Sequence, residues 1–319
     1  MSDRIRRLLV LASVVVVLAL MGAFVARNWD RFRDLEISQP WLVAPLLLAI
    51  GANLFFNGWL MASVLRPLGI DLSKQEAFAL AALNRLGNYV APMRLGASVR
   101  IVYLKKTYGL GVSRFLASMS ATYLIQYSTL SVFGLIGLSW LTVTGRTSWN
   151  LLGWGFLAAL TLLSALALWP LVGKEPPDGA GLIRRAIARF LDGWATIRSG
   201  RGDLGRAVVW ALATYLSFAL MTYLEFRILG IEITPFGAAF VTSVGALTGL
   251  IGITPAGLGV SEGLIVLAAS SIGLPAVAAF AAAILQRLAV FGFVSAVAPF
   301  ASRTLARHST SVDAVPSAE

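Results

Sequence analysis

The sequence predicts an all-α polytopic membrane protein of about six full spans plus two re-entrant helical hairpins related as an inverted repeat. Three observations carry that expectation. Of 319 residues, 58% are hydrophobic and only 13% charged, with a mean hydropathy of +0.80. A soluble chain of this length could not bury so much apolar surface. Apolar runs long enough to cross the hydrocarbon core recur at 8–26, 41–65, 113–141, 150–172, 207–229 and 275–301. Two further apolar blocks, 75–106 and 235–273, are broken by proline and glycine.

Taken in order, the run at 8–26 follows the basic start "MSDRIRR" as a signal peptide would. At about 19 residues it is too long for a signal h-region, and no A-x-A site follows, so it reads as a retained anchor. Residues 1–40 are then an anchor helix and external loop, and 41–172 a first repeat half. A basic cytoplasmic loop at 173–206 leads to a second half, 207–301, and a polar cytoplasmic tail, 302–319. The whole is one membrane domain, 1–319.

The formal net charge of +11 raises nucleic acid as a partner, and its placement argues against one. Lys174, Arg184, Arg185, Arg189, Arg198, Arg201 and Arg206 all fall in the 173–206 loop, while Arg4, Arg6, Arg7, Arg303 and Arg307 flank the termini. This is the positive-inside pattern, reinforced by attraction to anionic headgroups. Six crossings put both termini and the basic loop on the cytoplasmic side of a prokaryotic inner membrane. Each broken block must then enter and leave on one face. There is no cysteine, and the one histidine, His308, lies in the tail. Disulfides, thiolate metal sites and histidine-centred catalysis therefore have nothing to work with; no cofactor and no metal are expected.

Self-comparison shows a repeat. "LRPLGIDLS" (65–73) matches "FRILGIEIT" (226–234), and "PMRLGASVR" (92–100) matches "PAGLGVSEG" (255–263). Gly69 precedes Pro92 by 23 residues, and Gly230 precedes Pro255 by 25. Further Gly-Leu pairs follow at 109–110 and 273–274. The span at 41–65 and the span at 207–229 run in opposite directions, so the copies are inverted. Broken segments at corresponding positions of such halves point to a substrate site.

Pro92 and Pro255 end the helices before them, and Gly96, Gly257 and Gly259 allow tight reversal. Unpaired backbone groups survive in hydrocarbon only against protein or a water-filled cavity. The helix that starts after each break aims its N-terminus inward, where an anion is favoured. Nearby polar side chains complete the candidate headgroup-binding set: Asn84, Arg85, Asn88, Arg94 and Arg100 in one half; Ser261, Glu262, Gln286 and Arg287 in the other. Ionisable groups at such depth face a cavity or pair with one another. Arg287 is in reach of Glu262; one reading is a buried pair fixing the hairpin, another a direct role with substrate. Arg94 and Arg100 either join the site or snorkel to the headgroups. "YLKKTYG" (103–109) reads as an interfacial anchor, and Glu225 with Arg227 as a local pair.

The segments "NYVAPMRLGASVR", "ITPAGLGVSEGLIVL" and "AAILQRLAVFGF" resemble the transmembrane, flippase-like domain of the lysylphosphatidylglycerol synthase family, in its standalone form. The likeness spans about residues 5–303, with Pro255, Gly257, Gly259 and Glu262 in the P-x-G-x-G-x-x-E pattern. Ala97, Tyr123 and Ser261 stand where the family often has an acid, an arginine and a basic residue. The resemblance implies re-entrant hairpins and lipid movement between leaflets, with membrane lipids as partners. The 34-residue loop 173–206 is too short for the synthases' soluble transferase domain.

The expectation is therefore a non-enzymatic flippase or scramblase-like transporter of an anionic or polar-headed lipid, phospholipid or isoprenoid-linked. Two alternatives stand beside it. One is a lipid-binding accessory subunit of a separate membrane glycosyl- or aminoacyl-transferase. The other is a soluble-anion transporter on the same frame.

Overall fold

The computed structural model describes residue 19 and residues 21–33, 36–90, 96–168, 182–250 and 257–313. Among them the secondary structure is helical, with no strand. After a short helical segment at Trp29–Arg33, ten helices follow. They are α1 (Val43–Leu65), α2 (Lys74–Val90), α3 (Gly96–Tyr108), α4 (Val112–Val143) and α5 (Leu151–Leu168). The remainder are α6 (Leu182–Ser199), α7 (Arg201–Ile228), α8 (Pro235–Ala246), α9 (Val260–Ser271) and α10 (Ala276–Asp313).

Four helical stretches among the described residues are long and apolar enough to cross a membrane: Pro40–Leu68, Val112–Val143, Arg201–Ile228 and Ala276–His308. Leu151–Leu166, Pro235–Gly249 and Val260–Ser271 are shorter apolar helices. Four of the six expected spans are thus present at full length. Of the run at 8–26, residue 19 and residues 21–26 are helical and the rest lie outside the described residues; 150–172 is helical over Leu151–Leu168, its end lying outside them. The broken blocks are each two helices, α2 with α3 and α8 with α9; the breaks at 91–95 and 251–256, with Pro92, Arg94 and Pro255, fall outside the described residues.

The helix ends follow from local chemistry. Pro67 cannot continue the i→i−4 ladder, and α1 passes through a 3₁₀ turn, Arg66–Leu68, into Gly69 at φ +82°. Gly69 N–H donates to the Arg66 carbonyl (2.9 Å) and Ile70 N–H to the Leu65 carbonyl (3.3 Å). This left-handed cap suits glycine, which has no Cβ to clash. The end of α7 repeats it: Gly230 has φ +72°, with Gly230 N–H on Arg227 O (3.0 Å) and Ile231 N–H on Phe226 O (2.9 Å). Arg66 faces Asp71 at 3.7 Å, and Arg227 faces Glu232 at 3.9 Å. The "LGI" similarity in sequence is therefore one turn built twice.

Packing gives these turns their setting. α1 lies along α7, with Phe56 and Trp59 stacked on Trp210, each at 5.8 Å between centroids. α2 packs on α10 and α8 packs on α4, while α2 folds against α3 and α8 against α9. One apolar core joins α1, α2 and α3 to α7 and α10. A second joins α4, α8 and α9 to the same two helices. Interiors of this kind are close-packed, so the helices they join are held in fixed register.

Three features depart from the reading above. The 173–206 loop contains α6 and the first turn of α7; α6 buries Trp194 and Ile197 and runs against α4, leaving Arg184, Arg185, Arg189 and Arg198 exposed. The tail is helical through Asp313, so His308 sits on α10, its Nε2 3.9 Å from Glu76 Oε2. The "YLKKTYG" stretch is more than an anchor. Tyr103 and Tyr108 donate to Glu76 Oε1 at 2.6 and 2.8 Å. Glu76 also accepts from Ser73 N–H (3.0 Å), whose Oγ accepts from Glu76 N–H (3.3 Å). This capping box ties the start of α2 to the end of α3.

Candidate functional site

Where the two cores meet, a cavity of about 320 Å³ opens between α1, α2, α3, α4, α7, α8, α9 and α10. Its lining includes Asn53 of α1, Gln126 of α4, Thr214 of α7 and Arg287 of α10. Each of these lies near the middle of its long helix, so the cavity sits at mid-height of the spanning bundle.

The structure brings Asn84, Arg85, Asn88, Arg100, Gly257, Ser261, Glu262, Gln286 and Arg287 to this one cavity. Gly96 and Gly259 are not in its lining; each sits at the start of a helix that contributes to it. At Gly96 a Cβ would lie 2.0 Å from the Asn84 carbonyl oxygen. Only glycine lets α3 start so close to α2, and Gly96 N–H then donates to Asn88 Oδ1 at 3.1 Å. In the other group, Gly259 N–H donates to Glu262 Oε2 at 2.6 Å, so this carboxylate satisfies a backbone donor at the start of α9. The α2–α3 block is thus joined by Asn88 on the Gly96 N–H, whereas Glu262 caps the start of its own helix.

Glu262 is buried, and both its oxygens are engaged. Oε1 accepts from Arg287 Nε at 2.7 Å and pairs with Nη2 at 2.6 Å. The expected pair exists, with two arginine nitrogens converging on one carboxylate oxygen. The Arg287 guanidinium also lies over the Tyr89 ring at 5.8 Å, carrying the link from α9 through α10 to α2.

Arg85 and Arg100 are in a different situation. Arg85 Nη2 donates to Asn53 Oδ1 at 3.2 Å. Asn53 is aimed by α7, its Nδ2 donating to Thr214 O (2.9 Å) and Ser217 Oγ (3.1 Å). Arg100 is 8% exposed, its Nη2 reaching Asn57 Oδ1 at 3.4 Å. Its Nε is buried with no hydrogen-bond partner. Among the described residues neither arginine is in a salt bridge. The snorkelling reading of Arg100 is therefore corrected: packing encloses it. Arg94 lies outside the described residues.

Three guanidinium groups against one carboxylate leave the described lining with excess positive charge. Buried charges ordinarily find a counter-charge, and neutral amide oxygens satisfy hydrogen bonds without supplying one. An anion in the cavity would supply the missing counter-charge. The described residues hold no cluster of three His, Cys, Asp or Glu that suits a metal.

Sequence reasoning passed over Asn53 and Asn57, although two asparagines four apart on one face of an otherwise apolar span were a visible signal. It also passed over Gln126 and Thr214. It misplaced Glu225, which is buried and accepts from Gln286 Nε2 at 3.2 Å, while Arg227 turns to Glu232.

An all-helical, multi-pass membrane protein with a cationic polar cavity at mid-bundle is the class that fold and site define. The chain belongs to the family described as the lysylphosphatidylglycerol synthase TM region, which it matches over residues 7–298. This is the family that the sequence resembles, and it places the chain among membrane proteins connected with lipids. No curated protein matches the chain.

Proposed function

We propose that the protein moves an anionic lipid across the bilayer, its phosphate-bearing headgroup held in the central cavity. The observation that carries this reading is the pair Arg85 and Arg100, held by neutral asparagine oxygens and lacking a carboxylate. A phosphate offers the charge and the acceptors that both guanidiniums lack. The cavity volume, about 320 Å³, suits a headgroup and not its acyl chains, which would stay among the lipids. In this reading the chain carries out no covalent chemistry.

Paired features support two halves related as an inverted repeat, α1–α4 with α7–α10. The α1 and α7 caps match, the α2–α10 contact answers the α8–α4 contact, and α2–α3 answers α8–α9. In this scheme the α2–α3 and α8–α9 pairs are re-entrant hairpins entering from opposite faces, with both termini cytoplasmic. Alternating access would come from one half rocking on the other around a fixed site.

Reconstitution into liposomes carrying fluorescent phosphatidylglycerol or a neutral diacylglycerol tests the proposal. Protein-dependent translocation of the anionic lipid but not the neutral one is expected. Equal rates for both, or none above empty vesicles, would rule the reading out.

A further inference from the structure

Glu225 is a second acidic group near the cavity, and the headgroup site does not use it. It sits on α7, three residues before the helix ends, and is 2% exposed. Its Oε2 accepts from Gln286 Nε2 at 3.2 Å, and its Oε1 is buried with no hydrogen-bond partner. Gln286 lines the cavity, so one amide separates Glu225 from the site.

The elements packed on α7 supply no cation for this carboxyl. α1, α8 and the Pro40–Leu42 turn contain no ionisable residue. α10 brings Arg287, which Glu262 engages. α4 offers Arg114, which faces Asp192 at its own end, with Tyr123 and Tyr127. α6 and its charges lie at the far, N-terminal end of α7. On α7 itself, Tyr223 brings a phenol and no cation, and Arg227 faces Glu232. Tyr89 of α2 is in electrostatic reach of Arg85, Arg287, Glu225 and Glu262 alike; Arg85 is turned to Asn53 and Arg287 to Glu262. A carboxyl enclosed this way has two routes to stability, a cation or a proton, and the cation is lacking.

We propose that Glu225 is a proton-binding site of this protein, carrying a proton on Oε1 at neutral pH while Oε2 accepts from Gln286. The step is simple proton exchange: the acid releases a proton and leaves a carboxylate, with no other bond made or broken. Release places a negative charge next to Gln286, one residue from Arg287. The Gln286 amide, which lines the cavity, is then held by a carboxylate instead of a neutral acid. Proton occupancy is thereby linked to the wall of the cavity.

Infrared spectra of the full chain in lipid bilayers test this without any transport readout, so its failure is distinct from failure of the lipid-translocation reading. The wild type at neutral pH should show a protonated-carboxyl C=O band that disappears in Glu225→Gln and persists in Glu262→Gln. Gln286→Leu, which keeps Glu225 but removes its donor, should shift the band's frequency. This variant carries the test if Glu225→Gln does not fold. A neutral-pH spectrum lacking a band that Glu225→Gln removes, or a band that Gln286→Leu leaves unmoved, overturns the proposal.

Discussion

Replacing Arg100 with glutamine separates a binding role from a structural one. If Arg100 is held in readiness for an anion, its own contacts contribute little to folding. The structure agrees: one bond to Asn57 at a long 3.4 Å, a buried Nε without a partner, and no ion pair. Removing the charge also removes the penalty of keeping it from water. Stability should hold or rise, by about 1 kcal/mol, as when buried charges give way to neutral groups. Lipid binding should move the other way. A hydrogen bond to a charged group is worth about 1.5–3 kcal/mol, and every 1.4 kcal/mol is roughly tenfold in affinity. Arg100→Gln should therefore weaken phosphatidylglycerol binding by about 10- to 100-fold and leave neutral-lipid binding unchanged. The assay pairs lipid titration in nanodiscs with thermal melting followed by tryptophan fluorescence. Unchanged anionic-lipid affinity together with a lowered melting temperature would refute the reasoning and make Arg100 a packing residue.

The remaining predictions concern the frame around the cavity. Glu262→Gln leaves the half-buried Arg287 without its carboxylate and should lower stability by about 1.5–3 kcal/mol. Adding Arg287→Met should restore most of that, and a double-mutant cycle showing no coupling would contradict the pairing. Gly96→Ala drives a methyl group into the Asn84 backbone at 2.0 Å, so folded yield and melting temperature should both fall, by at least about 2 kcal/mol in stability. Gly205→Ala is the control: a Cβ there meets nothing within 4 Å. In the interior of α7 it should stabilise by about 0.5–1 kcal/mol. Equal melting of the two variants would count against the close α2–α3 approach.

Much of the frame was legible because hydrocarbon imposes a length on whatever crosses it. The runs at 41–65, 113–141, 207–229 and 275–301 became α1, α4, α7 and α10, although α7 begins earlier, at Arg201, and α10 continues to Asp313. The "LGI" similarity also survived folding, since a left-handed cap requires glycine at a defined step after the last helical turn. The Glu262–Arg287 pair was within reach because lone ionisable residues in apolar sequence must find each other or a ligand. Less legible was anything that depends on which helices meet. Glu225 and Arg227 are two apart and looked like partners, yet on a helix such residues face different ways, and each found its partner elsewhere. α6 was read as loop because its many arginines mask an apolar stripe, of which Trp194 and Ile197 are the buried part.

Composition and periodicity by themselves determined that this chain is a helical membrane protein with two broken segments and a few charges at depth. Those properties follow from the solvent, which acts on each segment separately. Tertiary structure alone decided that Arg85 and Arg100 face asparagines across the helix packing, whereas Arg287 meets a carboxylate. An ion pair depends on distances of a few ångströms between residues up to dozens of positions apart, and such distances exist only once α1, α2, α7, α9 and α10 have packed.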